Sequence, residues 1–489
     1  MSAFADPAHM PDIYARQEQD PEKNEKQGEV TTMRPLGEEA GEGGLRHVVA
    51  DAFALKEGED GVDFKDMGWV KAGLIATCEA IALGTLSFPS NFQKLGMAGG
   101  LICNTAFVFI AYASAYLMVD FKMKYPYCMN VADAGEAIFG RWGARIFGVG
   151  IVAKSIGLAS SHILAGKIAI STFDGGANCS IGWSLLVAAV SGILSYQRQW
   201  SGLTIMSICS LTCITTACII TMVGAATQDP SVLIKNDVPI KWVAFQTEAN
   251  LETSVGAIAS TIFAYGGNMA VFSFLPEMKK PEQFKKSIFI MQGTQLIFYS
   301  VVGAVLYSYG GQYTTSPALT MTHGAIRIVA YAFALVTIVV SGIVAVNVGA
   351  KYAYVTLFRG SPILTSRGWK AQGCWIGIIA GMWLIGWVLA ELIPFFSQLL
   401  TIVSCLFSTW FVCGLGGIIW LHLYNPRLPE NAGQGGYFSS PGRIAMFIFS
   451  IFLILISLAI TPLGLYSAIK GIISGYSNGK FNHPFACTS

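Results

Sequence analysis

Eleven apolar stretches, most of them near the roughly 20 residues that cross a bilayer as helix, alternate with short polar connections. They run over about 69–90, 97–118, 145–172, 180–196, 202–226, 253–277, 288–309, 324–350, 373–393, 397–423 and 443–468. The fourth is short and the third and eighth are long, which predicts tilt. Trp69, Trp183, Trp200, Trp375 and Tyr424 fall near the ends of these stretches, where aromatic side chains straddle the headgroup region. An all-α polytopic membrane protein follows from this pattern.

Lys and Arg set the expected orientation. With the N-terminus in the cytosol, fifteen of them, from Lys122 to Arg443, fall on cytosolic connections, against seven on the other side. That excess is the positive-inside bias, and an odd number of spans leaves the C-terminus outside. The connection 229–252 is then the largest external loop. Asn178-Cys179-Ser180 is a glycosylation sequon on that side, but it lies too close to the membrane to expect use. Asn130 to Phe139 reads as a short cytosolic helix ended by Gly140, with Asp133 and Glu136 on a solvated face.

Composition sharpens this division. Only 12% of the 489 residues are charged, about half the share in soluble domains. The net charge of +2 conceals −9 over residues 1–68 and +11 beyond them. Residues 1–68 carry no signal-peptide pattern and read as a disordered acidic cytosolic tail. Its Lys23, Lys26 and Lys56 are either solvated charges or targets of a ubiquitin ligase. The core is expected over 69–470 and a short non-cytosolic tail over 471–489. Most of the eleven cysteines lie inside apolar spans and act there as small hydrophobes. None is spaced for a metal site, while Cys179 and Cys487 share the external side, where a bridge between them can form. Nothing in the charge pattern points to a nucleic-acid partner; the lipid bilayer is the expected surroundings.

Two spans carry residues that a plain anchor would not need. The first contains Glu79, then Ile81-Ala82-Leu83-Gly84-Thr85, then Pro89. A carboxylate at mid-bilayer costs roughly 2.5–3.5 kcal/mol on insertion scales. Backbone that leaves the helix at that depth must line protein or water. Either Ala82 to Thr85 is an unwound hinge forming half of a small-solute site, or the span is a proline-kinked helix with a protonated, buried Glu79. The sixth span carries Tyr265-Gly266-Gly267-Asn268, and each glycine costs about 1 kcal/mol of helix preference. Leu86-Ser87-Phe88-Pro89 and Phe272-Ser273-Phe274-Leu275-Pro276 echo each other across the two spans.

Interrupted spans at matching places in two halves point to an inverted-repeat transporter site. The geometry expected for these spans, a 5+5 repeat with broken helices one and six, is that of the LeuT fold. Half-helix N-termini then face a carboxylate, and the carbonyls that end the preceding half-helices accept from an ammonium. Such a pair of ends suits a zwitterion, which is the physical case for an amino acid. Paired glycines also mark close helix packing.

The run Glu79 to Ser90 resembles the first-span motif of the amino acid/auxin permease family. So do Phe263 to Phe274, and Ala350 to Gly360 after the eighth span. Within the family the likeness is to the fungal neutral amino acid permeases of the methyltryptophan-resistance type, over about residues 65–470. It implies eleven spans, a LeuT-like core and proton-coupled uptake of neutral aliphatic and aromatic amino acids at the plasma membrane. Asn268 stands where some relatives are expected to have histidine, so their substrate range does not simply transfer.

The substrate-binding candidates are therefore Ile81, Ala82, Leu83, Gly84, Thr85, Tyr265, Gly266, Gly267 and Asn268. No Walker A or His-Glu-x-x-His sequence occurs, and no nucleophile–base set suggests an enzyme. No cofactor is expected, and an ion gradient drives the cycle, with protons favoured and sodium open. Each charge moved inward gains about 2.3 kcal/mol per 100 mV, enough for roughly 50-fold accumulation. Glu79 is the first candidate to carry the coupling proton; its alternative is a neutral acid bonded to a neighbouring helix. His162 is a second candidate, although its stripe with Ser155, Ala159 and Gly166 also predicts packing. Lys154 either faces a partner at depth or snorkels to the cytosolic side. Glu391 is expected to reach water at an outer end. Lys279, Lys280, Lys285 and Lys286 read as topology signals. Two other functions stay open: an exporter of the same fold on the vacuolar membrane, and an amino acid sensor signalling through residues 1–68 with little flux.

Overall fold

The computed structural model describes residues 67–196, 203–234, 238–247, 250–275, 278–358, 361, 363, 368–393, 395–431, 435–477, 485 and 487. The acidic segment with Lys23, Lys26 and Lys56 lies outside them, as do Pro276, Trp200, Arg198 and Arg359. Among the described residues the fold is all-helical. Eight helices are long and apolar enough to cross a membrane, nine when the bent pair over the first span is taken as one. The fourth expected span is the fifteen-residue α5, Ser180–Leu194. The sixth is split into α7, Leu251–Ala264, and α8, Ala270–Phe274. Eleven is therefore not reached by length and hydropathy alone.

The first span is α1, Trp69–Ala80, followed by α2, Phe88–Leu95, and then α3, Met97–Lys124. α4 runs from Val131 to Asp174, and Gly140, at φ 66°, kinks it where the cytosolic helix was expected to end. Asp133 is not simply solvated. It accepts from the backbone N–H of Asn130 while Asn130 accepts from that of Asp133, a reciprocal cap. After α6, Leu203–Thr227, come α9, Phe284–Gly310, and α10, Gly324–Leu357. α11 covers Trp369–Leu392. The tenth span is α12, Phe396–Val403, two π-helical turns over Ser404–Ser408 and Trp410–Gly414, and α13, Leu415–Leu423. α14 extends from Pro441 to Ser477, well past its expected end at 468, with Pro462 inside it.

α4 is the post against which α5, α10, α11 and α12 pack, while α9 packs along α1, α2 and α3. The small-residue stripe on α4 makes this close approach possible. A Cβ on Gly342 of α10 would lie 3.2 Å from the His162 Cβ, and one on Gly349 would lie 2.6 Å from Ser155. In lipid, where apolar burial no longer drives helices together, such backbone proximity holds them.

One buried ion pair corrects the sequence reading, and one disulfide closes a bridge that it left open. Glu391 does not reach water: it is 2% exposed and accepts from Lys167 Nζ through both carboxylate oxygens, at 3.0 and 2.9 Å. This joins the C-terminal parts of α4 and α11. Cys179 and Cys487 are bonded, with their Cα atoms 4.8 Å apart, so Cys487 is held to the turn before α5. The sequon amide of Asn178 donates to Asp174 Oδ1 at 2.8 Å.

Candidate functional site

α1 stops at Ala80 because the backbone turns extended at Ile81 (φ −86°, ψ 90°) and stays out of the helical region at Ala82 (φ −138°, ψ −133°). A 3-10 turn over Leu83–Ser87 follows, with Pro89 in the first turn of α2. Pro89 has no N–H to give the preceding turn, and the start of a helix is where that loss is tolerated. The two parts of the span are bent by 46°. The span is thus broken at Ile81 and Ala82, not merely kinked at Pro89. In the sixth span α7 ends at Ala264, and a 3-10 turn over Gly266–Met269 leads into α8.

The breaks lock into each other reciprocally. A Cβ on Gly84 would lie 2.8 Å from the Ala264 Cβ, and one on Gly267 would lie 3.1 Å from the Ala80 Cβ. Each break thus seats a glycine on the last residue of the other span's first half-helix. A small recess lined by Ala76, Gly267, Val271, Phe284, Ile288 and Met291 lies beside the second break.

α9 supplies the polar groups that serve both breaks. Tyr299 is fully buried, and its hydroxyl lies 3.1 Å from the Ala80 carbonyl and 3.3 Å from the Ala264 carbonyl. Gln295 Nε2, one turn earlier, donates to the same Ala264 carbonyl at 3.1 Å. Gln292 Nε2 donates to Asn268 Oδ1 at 3.1 Å, and Asn268 Nδ2 donates to the Ala111 carbonyl of α3 at 2.9 Å. Tyr265 donates through its hydroxyl to Asn104 Oδ1 at 2.5 Å. The side chains of Tyr265 and Asn268 therefore fasten the second break to α3 and α9. Beyond the breaks, Asn91 donates to Ser260 and Thr261 at 3.3 Å, and Ser260 to Ser87 at 3.1 Å, tying α2 to α7.

Lys154 does not snorkel. It is 6% exposed and donates to the Gly266 carbonyl at 3.1 Å, with its ammonium 5.5 Å from the centre of the Phe411 ring. The sequence reading thus undervalued it. Ser408, in the first π turn of the tenth span, also faces Gly266, its Oγ lying 3.5 Å from where a Cβ would stand. Glu79 is half-buried in the last turn of α1, one residue before the break. His162 sits apart from this junction, against Gly342. Its Nδ1 lies 2.7 Å from the Leu158 carbonyl; because a carbonyl only accepts, Nδ1 carries the proton. The structure gathers Glu79 to Thr85, Tyr265 to Asn268, Lys154 and Tyr299 at one junction and leaves His162 outside it. Gln292, Gln295 and Tyr299 went unnoticed in the sequence, although their i, i+3, i+7 spacing inside an apolar span was a usable signal.

Residues 65–463 match the family model described as "Transmembrane amino acid transporter protein". The chain belongs to that family. The "N amino acid transport system protein" of Neurospora crassa is 30% identical to this transporter over 473 residues, 96% of this chain and 95% of its own. A "Transmembrane transporter" of Gibberella moniliformis is 23% identical over 438 residues, 88% of this chain and 90% of its own. Among solved structures, MhsT in complex with L-phenylalanine superposes with a TM-score of 0.52 at 16% identity, over 82% of this chain and 98% of that one. That likeness shows the fold, the LeuT type expected from the paired breaks. The transporter is a multi-pass membrane protein and not an enzyme.

Proposed function

We propose that this protein imports neutral aliphatic and aromatic amino acids across the plasma membrane by alternating access, driven by protons. The observation that carries this reading is the reciprocal seating of the two breaks, Gly84 on Ala264 and Gly267 on Ala80. At the breaks themselves the contact is glycine on alanine, which can part and rejoin with little side-chain repacking. Parting them exposes N–H groups of the two breaks, among them those of Leu83 and Gly84, to a carboxylate. The 30% likeness to an amino acid transport protein supports the substrate class. Uptake of a radiolabelled amino acid panel, with and without a protonophore, tests it: neutral amino acids should accumulate and the protonophore should abolish the gradient. Loss of no uptake on adding protonophore would sink the proton coupling.

Glu79 is the proton carrier in this reading, because its position in the last turn of α1 makes its surroundings change when the break moves. Glu79→Gln is expected to reach the membrane in normal amount and to lose the pH dependence of accumulation. A variant whose uptake still follows pH as the wild type does would remove Glu79 from the cycle.

In this reading the N-terminus stays in the cytosol, with eleven spans and an external C-terminus. The disulfide supports this, since bridges persist on the side away from the reducing cytosol. A membrane-impermeant maleimide, added outside intact cells after mild reduction, should label Cys179 and Cys487. Labelling only after permeabilisation would place these residues on an internal face, as a vacuolar location also would, and a fluorescent tag separates those two outcomes.

A further inference from the structure

We propose that the Tyr299 hydroxyl stands where the two half-helix ends would otherwise call for a cation, so that this transporter needs no sodium. The inference deepens the amino acid transporter reading and rests on it for the meaning of the two breaks. A helix C-terminus carries a partial charge of about −0.5, and here two of them, α1 and α7, end side by side at Ala80 and Ala264. In transporters with broken helices, carbonyls of this kind coordinate the driving cation. In this chain the Ala80 and Ala264 carbonyls instead share one neutral donor, at 3.1 and 3.3 Å. A phenol has a single proton, so it serves the two acceptors as a shared, three-centre donor.

The donor is fixed in place. The Tyr299 ring stacks on Phe88, with centroids 4.4 Å apart, and meets Tyr265 edge-on at 5.7 Å. Gln295 donates to the Tyr299 oxygen at 3.3 Å and to the Ala264 carbonyl at 3.1 Å. Both α1 and α7 are thus tied through their last carbonyls to α9, and the tie carries no net charge. A sodium ion at this junction would have to displace a hydroxyl held by two ring contacts and an amide.

The test compares purified full-length protein in sodium chloride and in choline chloride, reading thermal stability without amino acid and uptake in reconstituted vesicles. Wild type should unfold at the same temperature and transport at the same rate in both salts. A sodium-specific stabilisation of wild type by more than about 2 °C, or uptake that requires sodium, would overturn the proposal. Tyr299→Phe keeps the ring and its stacking but removes the donor. It should gain sodium-specific stabilisation, because two end carbonyls then lack their shared proton. A folded Tyr299→Phe protein indifferent to sodium would also count against the proposal. Should the variant not purify as a folded species, the wild-type comparison alone decides. Since the thermal reading uses no amino acid, absence of any amino acid cargo would sink the transport reading without touching this one.

Discussion

Lys167→Met is expected to destabilise the transporter by about 3–5 kcal/mol, the usual cost of breaking a buried ion pair from one side. The pair is closed on both partners: the carboxylate of Glu391 is 2% exposed, and Lys167 reaches both of its oxygens. Removing the ammonium leaves a charge between α4 and α11 that water does not reach. The carboxylate must then bind a proton or pull the helices apart. Lys167→Met combined with Glu391→Leu should recover most of the loss, because two apolar side chains of similar volume need no partner. Thermal unfolding of the purified single and double variants checks this. Equal losses in both would show that the pair is valued for packing and not for charge balance. The effect belongs to the scaffold, because α4 is the helix against which α5, α10, α11 and α12 pack.

That pair also shows where the sequence stopped being legible. Each residue was visible as a charge near the end of an apolar span, but nothing local says that positions 224 residues apart meet. The same limit applies to Cys179 and Cys487, whose shared side could be read from charge but whose contact is made by the fold. The breaks were legible because their cause is local. Glycine and proline weaken the interior of a helix, so Gly84, Pro89, Gly266 and Gly267 within apolar spans announced themselves. Even so, the unwinding at the first break starts earlier than expected, at Ile81, whose φ and ψ are already extended. Lys154 was visible as a cost without a partner, and its partner, the Gly266 carbonyl, belongs to backbone freed only once the break exists. The polar face of α9 lay in plain view at Gln292, Gln295 and Tyr299. It was passed over because no single residue in it is charged.

The packing of the breaks makes the strongest claim about transport. Gly267→Leu is expected to reduce uptake to background, with substrate binding lost, while the protein still reaches the membrane. The first atom of any side chain at this position already stands 3.1 Å from the Ala80 Cβ and 3.9 Å from Met291 Sδ. Leucine adds three more carbons where α1 ends. Overpacking of this kind costs about 1–3 kcal/mol, and each 1.4 kcal/mol is tenfold in an equilibrium, so closure of the site should be about 5- to 140-fold less populated. Gly84→Ala should act in the same direction with a smaller group, because its Cβ meets the Ala264 Cβ at 2.8 Å and its Cα at 2.9 Å, and backbone cannot swing aside. Gly377→Leu is the control: a Cβ there meets nothing within 4 Å, so uptake should be unchanged. Radiolabelled uptake normalised to surface protein reads all three. If Gly267→Leu and Gly84→Ala both transported like the control, the junction of the two broken spans would be packing alone, and the substrate would have to pass elsewhere.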